Sequence, residues 1–182
     1  MKKKGLYTGR FQPFHLGHLS VVKQALKEVG FLYIGIGSAQ SSHSERNPFT
    51  AEEREEIIRA ALKENGIDKN QFKIIPIPDI HDNDAWPGYV RTLVPDFDIS
   101  FVGEEGIVKE LFENMTNIPT KVAKRKAKVS GTEVRKRIKE DKNWEKLVNP
   151  STVKILRKIN AKERINHPTR CESTRIGKLP MV

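Results

Sequence analysis

A single cysteine, Cys171, stands in 182 residues, which excludes an internal disulfide framework and an all-cysteine zinc site. No apolar run approaches the ~20 residues of a membrane span. No internal repeat and no linker divides the chain, so one domain with an ordinary core is expected. The basic start Met1-Lys2-Lys3-Lys4 leads into a strand far too short for the apolar core of a signal peptide, and a cytosolic location is the default expectation. Acidic residues fall short of basic ones, 23 against 33, leaving a net charge of +10. That charge favours an anionic partner, a nucleotide or a nucleic acid. Much of it lies in Lys121 to Lys139 and Arg157 to Lys178, and by charge alone it reads as a solvated basic surface and tail. No aromatic-studded basic sheet and no helix-turn-helix pattern accompanies it, so nucleic acid is not the expected partner.

What is present is an alternation of β and α patterns. Gly5 to Thr8, Phe31 to Gly37, Phe72 to Ile77, Phe97 to Gly103 and, weakly, Thr120 to Ala123 read as strands. Between them, helices are predicted from Leu19 to Leu26, from the Thr50-Ala51-Glu52-Glu53 capping box to Asn65, from Ala85 to Leu93 and from Glu105 to Asn114. A second capping box, Ser130-Gly131-Thr132-Glu133, opens a helix to about Glu140. Trp144 to Val148 and Ser151 to Ile159 read as further helices split by Pro150. From Ala161 the periodicity fades into a tail; the domain is taken as residues 1–164 and the basic tail as 165–182. The fold class is therefore α/β: a Rossmann-like, doubly wound parallel sheet of about five strands, helices on both faces and a C-terminal helical extension. In such sheets ligands sit beyond the carboxyl ends of the strands, and every polar loop singled out below follows a strand.

The chain is organised around Gly9-Arg10-Phe11-Gln12-Pro13-Phe14-His15-Leu16-Gly17-His18, a strand-to-helix turn. Gly9 and Gly17 lack a Cβ where a ligand or another backbone comes close. With a helix starting near Pro13 or Phe14, His15 and His18 share one face of its first turn. Two imidazoles, Arg10 and a helix N-terminus make a polyphosphate site. Ser130-Gly131-Thr132 opens another helix N-terminus, with Arg135 one turn in as a fork for phosphate; alone it is an ordinary capped helix. Ser38 to Thr50 is a polar loop holding His43 and Arg46. Asp79 to Asp84 is acidic, and Asn83 with Trp86 supplies an amide and a flat ring, although a tryptophan there is as readily a packing residue. The carboxylates beside them form no dedicated metal cage.

The pattern Gly9-Arg10-Phe11-x-Pro13-x-His15-x-Gly17-His18 resembles the signature of the His-x-Gly-His nucleotidyltransferase superfamily. Ser130 to Arg135 resembles its second signature, in which an arginine closes over ATP. The Ser38–Thr50 loop, ending Arg46-Asn47-Pro48-Phe49-Thr50, is similar to that of archaeal-type nicotinamide mononucleotide adenylyltransferases, and Asn83 and Trp86 match their nicotinamide-side residues. The resemblance covers about Gly5 to Arg164. It implies adenylyl transfer from ATP to nicotinamide mononucleotide, giving NAD and pyrophosphate. It further implies His15, His18, Arg10 and Arg135 as catalytic residues, with at least one imidazole charged. Gly9, Gly17, Arg46, Ser130, Gly131 and Thr132 would bind ATP and phosphate, and Asn83 and Trp86 the nicotinamide nucleotide. Mg²⁺ or another divalent cation would arrive with ATP, and a homo-oligomer, a hexamer, is implied for the assembly. The first motif alone leaves open a transferase acting on pantetheine phosphate or another phosphate acceptor, or a non-catalytic nucleotide-binding or nucleic-acid-binding protein. Glu104, after the fourth strand, departs from the small or amide residue the family pattern implies.

Overall fold

The computed structural model describes residues 2–80, 82–103, 107–123 and 129–169. Five parallel strands, β1 (Lys4–Gly9), β2 (Phe31–Gly37), β3 (Phe72–Ile77), β4 (Ile99–Val102) and β5 (Thr120–Val122), form one sheet in the order β3-β2-β1-β4-β5. From β1 the chain steps outward to β2 and β3, then returns to place β4 and β5 on the other side. The strand order thus switches between β1 and β4, in the crevice where such sheets take ligands. The register pairs Gly9 with Ile36, Gly37 with Ile77 and Tyr7 with Phe101.

Helices cover both faces, and this is why the strands are almost continuously apolar. The helices are α1 (Leu16–Glu28), α2 (Ala51–Glu64), α3 (Trp86–Leu93), α4 (Ile107–Met115), α5 (Gly131–Lys139), α6 (Pro150–Lys158) and α7 (Ala161–Asn166). Tyr7, Leu32, Ile34 and Ile74 face a core built with α1, α2 and α5 to α7. Their strand neighbours Leu6, Tyr33, Ile75 and Ile77 turn the other way, onto Val90 and Val94 of α3 and Phe112 of α4. The cap of α2 is as predicted: Thr50 Oγ1 accepts from Glu53 N–H at 3.2 Å, and Thr50 N–H donates to Glu53 Oε2 at 2.9 Å.

Several boundaries differ from the sequence reading. Helix α1 starts at Leu16, with His15 as its N-cap. Strand β4 starts at Ile99; Glu105, where the helix after it is expected to begin, lies outside the described residues, as do Glu104, His81 and Cys171. Trp144 to Val148 forms only a 3-10 turn at Glu145–Leu147, and Pro150 opens α6 instead of preceding it, since its fixed φ suits a first helical position. The expected tail from Ala161 begins as α7, because Ala161 and Ile165 recur at helical spacing and bury themselves in the core. The second capping box is half made: Ser130 Oγ accepts from Glu133 N–H at 3.1 Å, while the Glu133 carboxylate pairs with Arg137 Nε at 2.7 Å.

Candidate active site

The turn after β1 folds its histidines into an unusual cap. His15 Nδ1 accepts from His18 N–H, and His18 Nδ1 accepts from His15 N–H, both at 3.3 Å. This is a capping box made by imidazoles in place of hydroxyl and carboxylate. The rings stack with centroids 3.6 Å apart and planes 19° apart, and Phe11 and Phe14 pack on His18. An Nδ1 that accepts carries no proton, so in this arrangement each ring is the neutral tautomer protonated on Nε2. The expectation that the two rings share a face holds, through the cap and not through a helix begun at Pro13.

Arg10 and Arg46, on the loops after β1 and β2, and Arg135, in the second turn of α5, lie within Coulombic reach of one another. The Arg10 guanidinium is held below its ordinary range by partial desolvation and then by the charge of Arg46, with Asp79 opposing. Arg10 remains exposed over much of its surface, so solvent screens this effect. Arg135 is lowered by desolvation and by Arg10, with Glu45 opposing and Arg46 adding to the depression. Cations that depress one another in this way gain when a polyanion enters between them. Arg135 Nη1 also donates to the Gln12 carbonyl at 2.8 Å, tying α5 to the β1 turn. Close backbone approach explains two glycines. A Cβ on Gly131 would lie 2.8 Å from the Gln12 carbonyl oxygen, and one on Gly17 2.9 Å from the His15 ring and 3.2 Å from the Val129 carbonyl oxygen. At Gly9 the space is taken by the Phe11 ring, 2.9 Å away, so this glycine serves packing. Ser130 and Thr132 are exposed at the start of α5, and Arg46 is exposed on its loop.

The Asn83–Trp86 turn is built differently. Asp82 Oδ1 accepts from the N–H groups of Asp84 and Ala85, both at 3.0 Å, so this acid is occupied as a turn residue. The Asn83 carbonyl accepts from Trp86 N–H, while Asn83 itself stays exposed. Trp86 meets Phe112 edge to face at 5.8 Å, so it does pack, though part of its surface stays open. His43 bonds Ser42 Oγ at 2.9 Å and lines a shallow cleft against α7 with Asn160, Arg164 and His167, a cleft whose lining includes none of the three rim arginines.

Sequence reading missed Gln12 and Arg54. The Gln12 side chain, buried, bonds the Phe49 backbone on both sides: Nε2–H to the carbonyl at 2.9 Å, and Phe49 N–H to Oε1 at 3.0 Å. Nothing in the sequence marks it. Arg54 is wholly buried on α2, and its pKa is lowered to about 10, chiefly by desolvation, with Glu52, Asp79 and Glu53 opposing and Arg10 adding to the depression. A signal for it existed: it sits one turn before Ile57 and Ile58, a charge inside the apolar stripe.

A doubly wound sheet with a capped, histidine-bearing helix start and three arginines beyond its strand ends defines a phosphate-binding α/β protein. The chain belongs to the cytidylyltransferase-like family, whose model matches residues 6–137. It is 42% identical over 162 residues to a nicotinamide-nucleotide adenylyltransferase of Thermococcus sibiricus, covering 89% of this chain and 87% of that one. To the enzyme of that name from Saccharolobus solfataricus it is 41% identical, covering 89% and 94%. The solved structure of a bifunctional NMN adenylyltransferase/ADP ribose pyrophosphatase from Francisella tularensis matches with a TM-score of 0.77 at 23% identity. That match covers 91% of this chain and spans about half of the bifunctional protein, 52%, and it supports the fold.

Proposed function

We propose that this protein transfers the adenylyl group of ATP to nicotinamide mononucleotide, giving NAD and pyrophosphate. The observation that carries this is that Arg10, Arg46 and Arg135 lie within Coulombic reach of one another, with Arg135 bonded to Gln12 in the turn that leads to the stacked histidines, in a chain about two-fifths identical to nicotinamide-nucleotide adenylyltransferases over most of its length. A phosphate oxygen of the mononucleotide attacks the α-phosphorus, and the bond from that phosphorus to the pyrophosphate oxygen breaks. The attacking group is already anionic, so no general base or protein nucleophile is needed. The protein aligns the two phosphates and spreads the negative charge that grows on the leaving group. His15 and His18 would donate from Nε2 to phosphate oxygens. The three arginines would grip the triphosphate, with Ser130, Gly131 and Thr132 lending the N-terminus of α5.

Mg²⁺ or another divalent ion fits here as a partner of ATP. Arriving with ATP, it would be held by phosphate oxygens and water. When bound, it neutralises charge on the β- and γ-oxygens. Asn83 and Trp86 would take the nicotinamide amide and ring. We extend the proposal to a homo-oligomer, a hexamer by family resemblance, in the cytoplasm; no helix among the described residues is long and apolar enough to cross a membrane. Incubating the protein with Mg-ATP and nicotinamide mononucleotide should yield NAD and pyrophosphate. No dinucleotide, or faster turnover of pantetheine phosphate, would overturn the assignment.

A further inference from the structure

Arg10 and Arg46 stand on the loops that follow β1 and β2, and one buried side chain holds those two loops together. Arg54 occupies the first turn of α2 with no exposed surface. Its Nε donates to the Thr50 carbonyl at 3.0 Å, Nη1 to the carbonyls of Arg10 at 3.0 Å and Gly37 at 2.8 Å, and Nη2 to that of Ser38 at 3.1 Å. All four acceptors are backbone carbonyls, drawn from the end of β1, the end of β2 and the N-cap of α2. A buried cation without a bonded carboxylate is costly, and it is a poor choice where stability alone is at stake. Two of the acceptors adjoin or belong to strained backbone: Phe11, which follows Arg10, has φ 50°, and Ser38 has φ 50° as well. Non-glycine residues hold that conformation only where the surroundings enforce it. The guanidinium fork is the side chain able to reach all four oxygens at once, since an ammonium has three N–H groups on a single atom.

We propose that Arg54 is a positioning residue for adenylyl transfer. It clamps the carbonyls of Arg10, Gly37 and Ser38, so that Arg10 and the loop bearing Arg46 are set for the triphosphate, and it touches no substrate itself. This rests on the assignment of the rim to ATP. It predicts an asymmetry, because none of the four carbonyls belongs to the Asn83–Trp86 turn.

The test is steady-state kinetics of Arg54→Lys and Arg54→Met beside the unaltered protein, with circular dichroism and thermal melts to establish folding. Arg54→Lys keeps the charge but not the fork. It should melt cooperatively and lose about 10²-fold in kcat, as expected for loops displaced by about an ångström, while the KM for nicotinamide mononucleotide stays within about twofold. A purely structural residue would shift all parameters together or, once folded, none. Wild-type kcat in either folded variant, or a KM for the mononucleotide that rises as far as kcat falls, overturns the proposal. Should Arg54→Met fail to fold, Arg54→Lys decides. Should the unaltered protein make no dinucleotide, the functional reading fails, and calorimetry with inorganic tripolyphosphate then judges Arg54 alone. A tenfold or greater loss of affinity in Arg54→Lys sustains the clamp, and equal affinity refutes it.

Discussion

At the proposed phosphate end of the rim, side chains reach across the chain to backbone groups. Gln12 bonds Phe49, Arg135 bonds Gln12, and Arg54 bonds the ends of β1 and β2. At the proposed nicotinamide end the Asn83–Trp86 turn mostly holds itself, through Asp82 and the Asn83 carbonyl, and leaves Asn83 exposed. The difference suits the role proposed for each end. Charge that grows during a reaction is best met by donors already in place, because reorganising them during the reaction adds to the barrier. A ring is held by stacking and burial, which tolerate adjustment on binding.

Four changes would break or sharpen that contrast, from the largest expected effect on turnover to the smallest. His18→Ala removes a proposed phosphate donor and half of the reciprocal cap. Turnover should fall by ~10²-fold or more with a modest change in KM, and the lost cap should cost about 1 kcal/mol in a denaturant melt. Unchanged turnover would remove His18 from the chemistry. Gly131→Ala places a methyl group against the Gln12 carbonyl and 3.4 Å from Arg135 Nη1. The KM for ATP should rise about tenfold as α5 is pushed back, and an unmoved KM would show that α5 need not seat so closely. Trp86→Ala should raise the KM for the mononucleotide far more than that for ATP, with kcat little changed. It should also cost about 1 kcal/mol of stability from the lost Phe112 contact; equal rises in the two KM values would remove the stacking argument. Arg164→Gln breaks the 2.5 Å pair with Glu53, whose side chains are only 21% and 18% exposed. We expect a loss of about 1–2 kcal/mol with turnover within about twofold; a large loss of turnover would extend the clamped region to α7.

The contrast also accounts for what was readable beforehand. Periodicity placed all five strands and the long helices, since each must bury a fixed face. The alternation of β and α implied the parallel sheet, and motif spacing located Arg10, His15 and His18 at the strand-to-helix turn after β1 and Arg135 one turn into a later helix. The α7 helix was missed because it is six residues long with two buried anchors, too few to make a period. Arg54 was missed because a charge in an apolar stripe reads as a solvated residue until its partners are known. The imidazole cap was missed because His15 as N-cap requires the helix to start at Leu16, and boundaries are where local signals are weakest.

By itself the sequence determined the element order, the two-faced burial of the sheet and the residue types brought to the rim, because these depend on local propensity and on hydrophobic spacing along the chain. Only the tertiary structure decided the mutual repulsion of Arg10, Arg46 and Arg135 and the four carbonyl bonds of Arg54. Each of these depends on groups distant in sequence coming within hydrogen-bonding or Coulombic reach, and no local pattern encodes those distances.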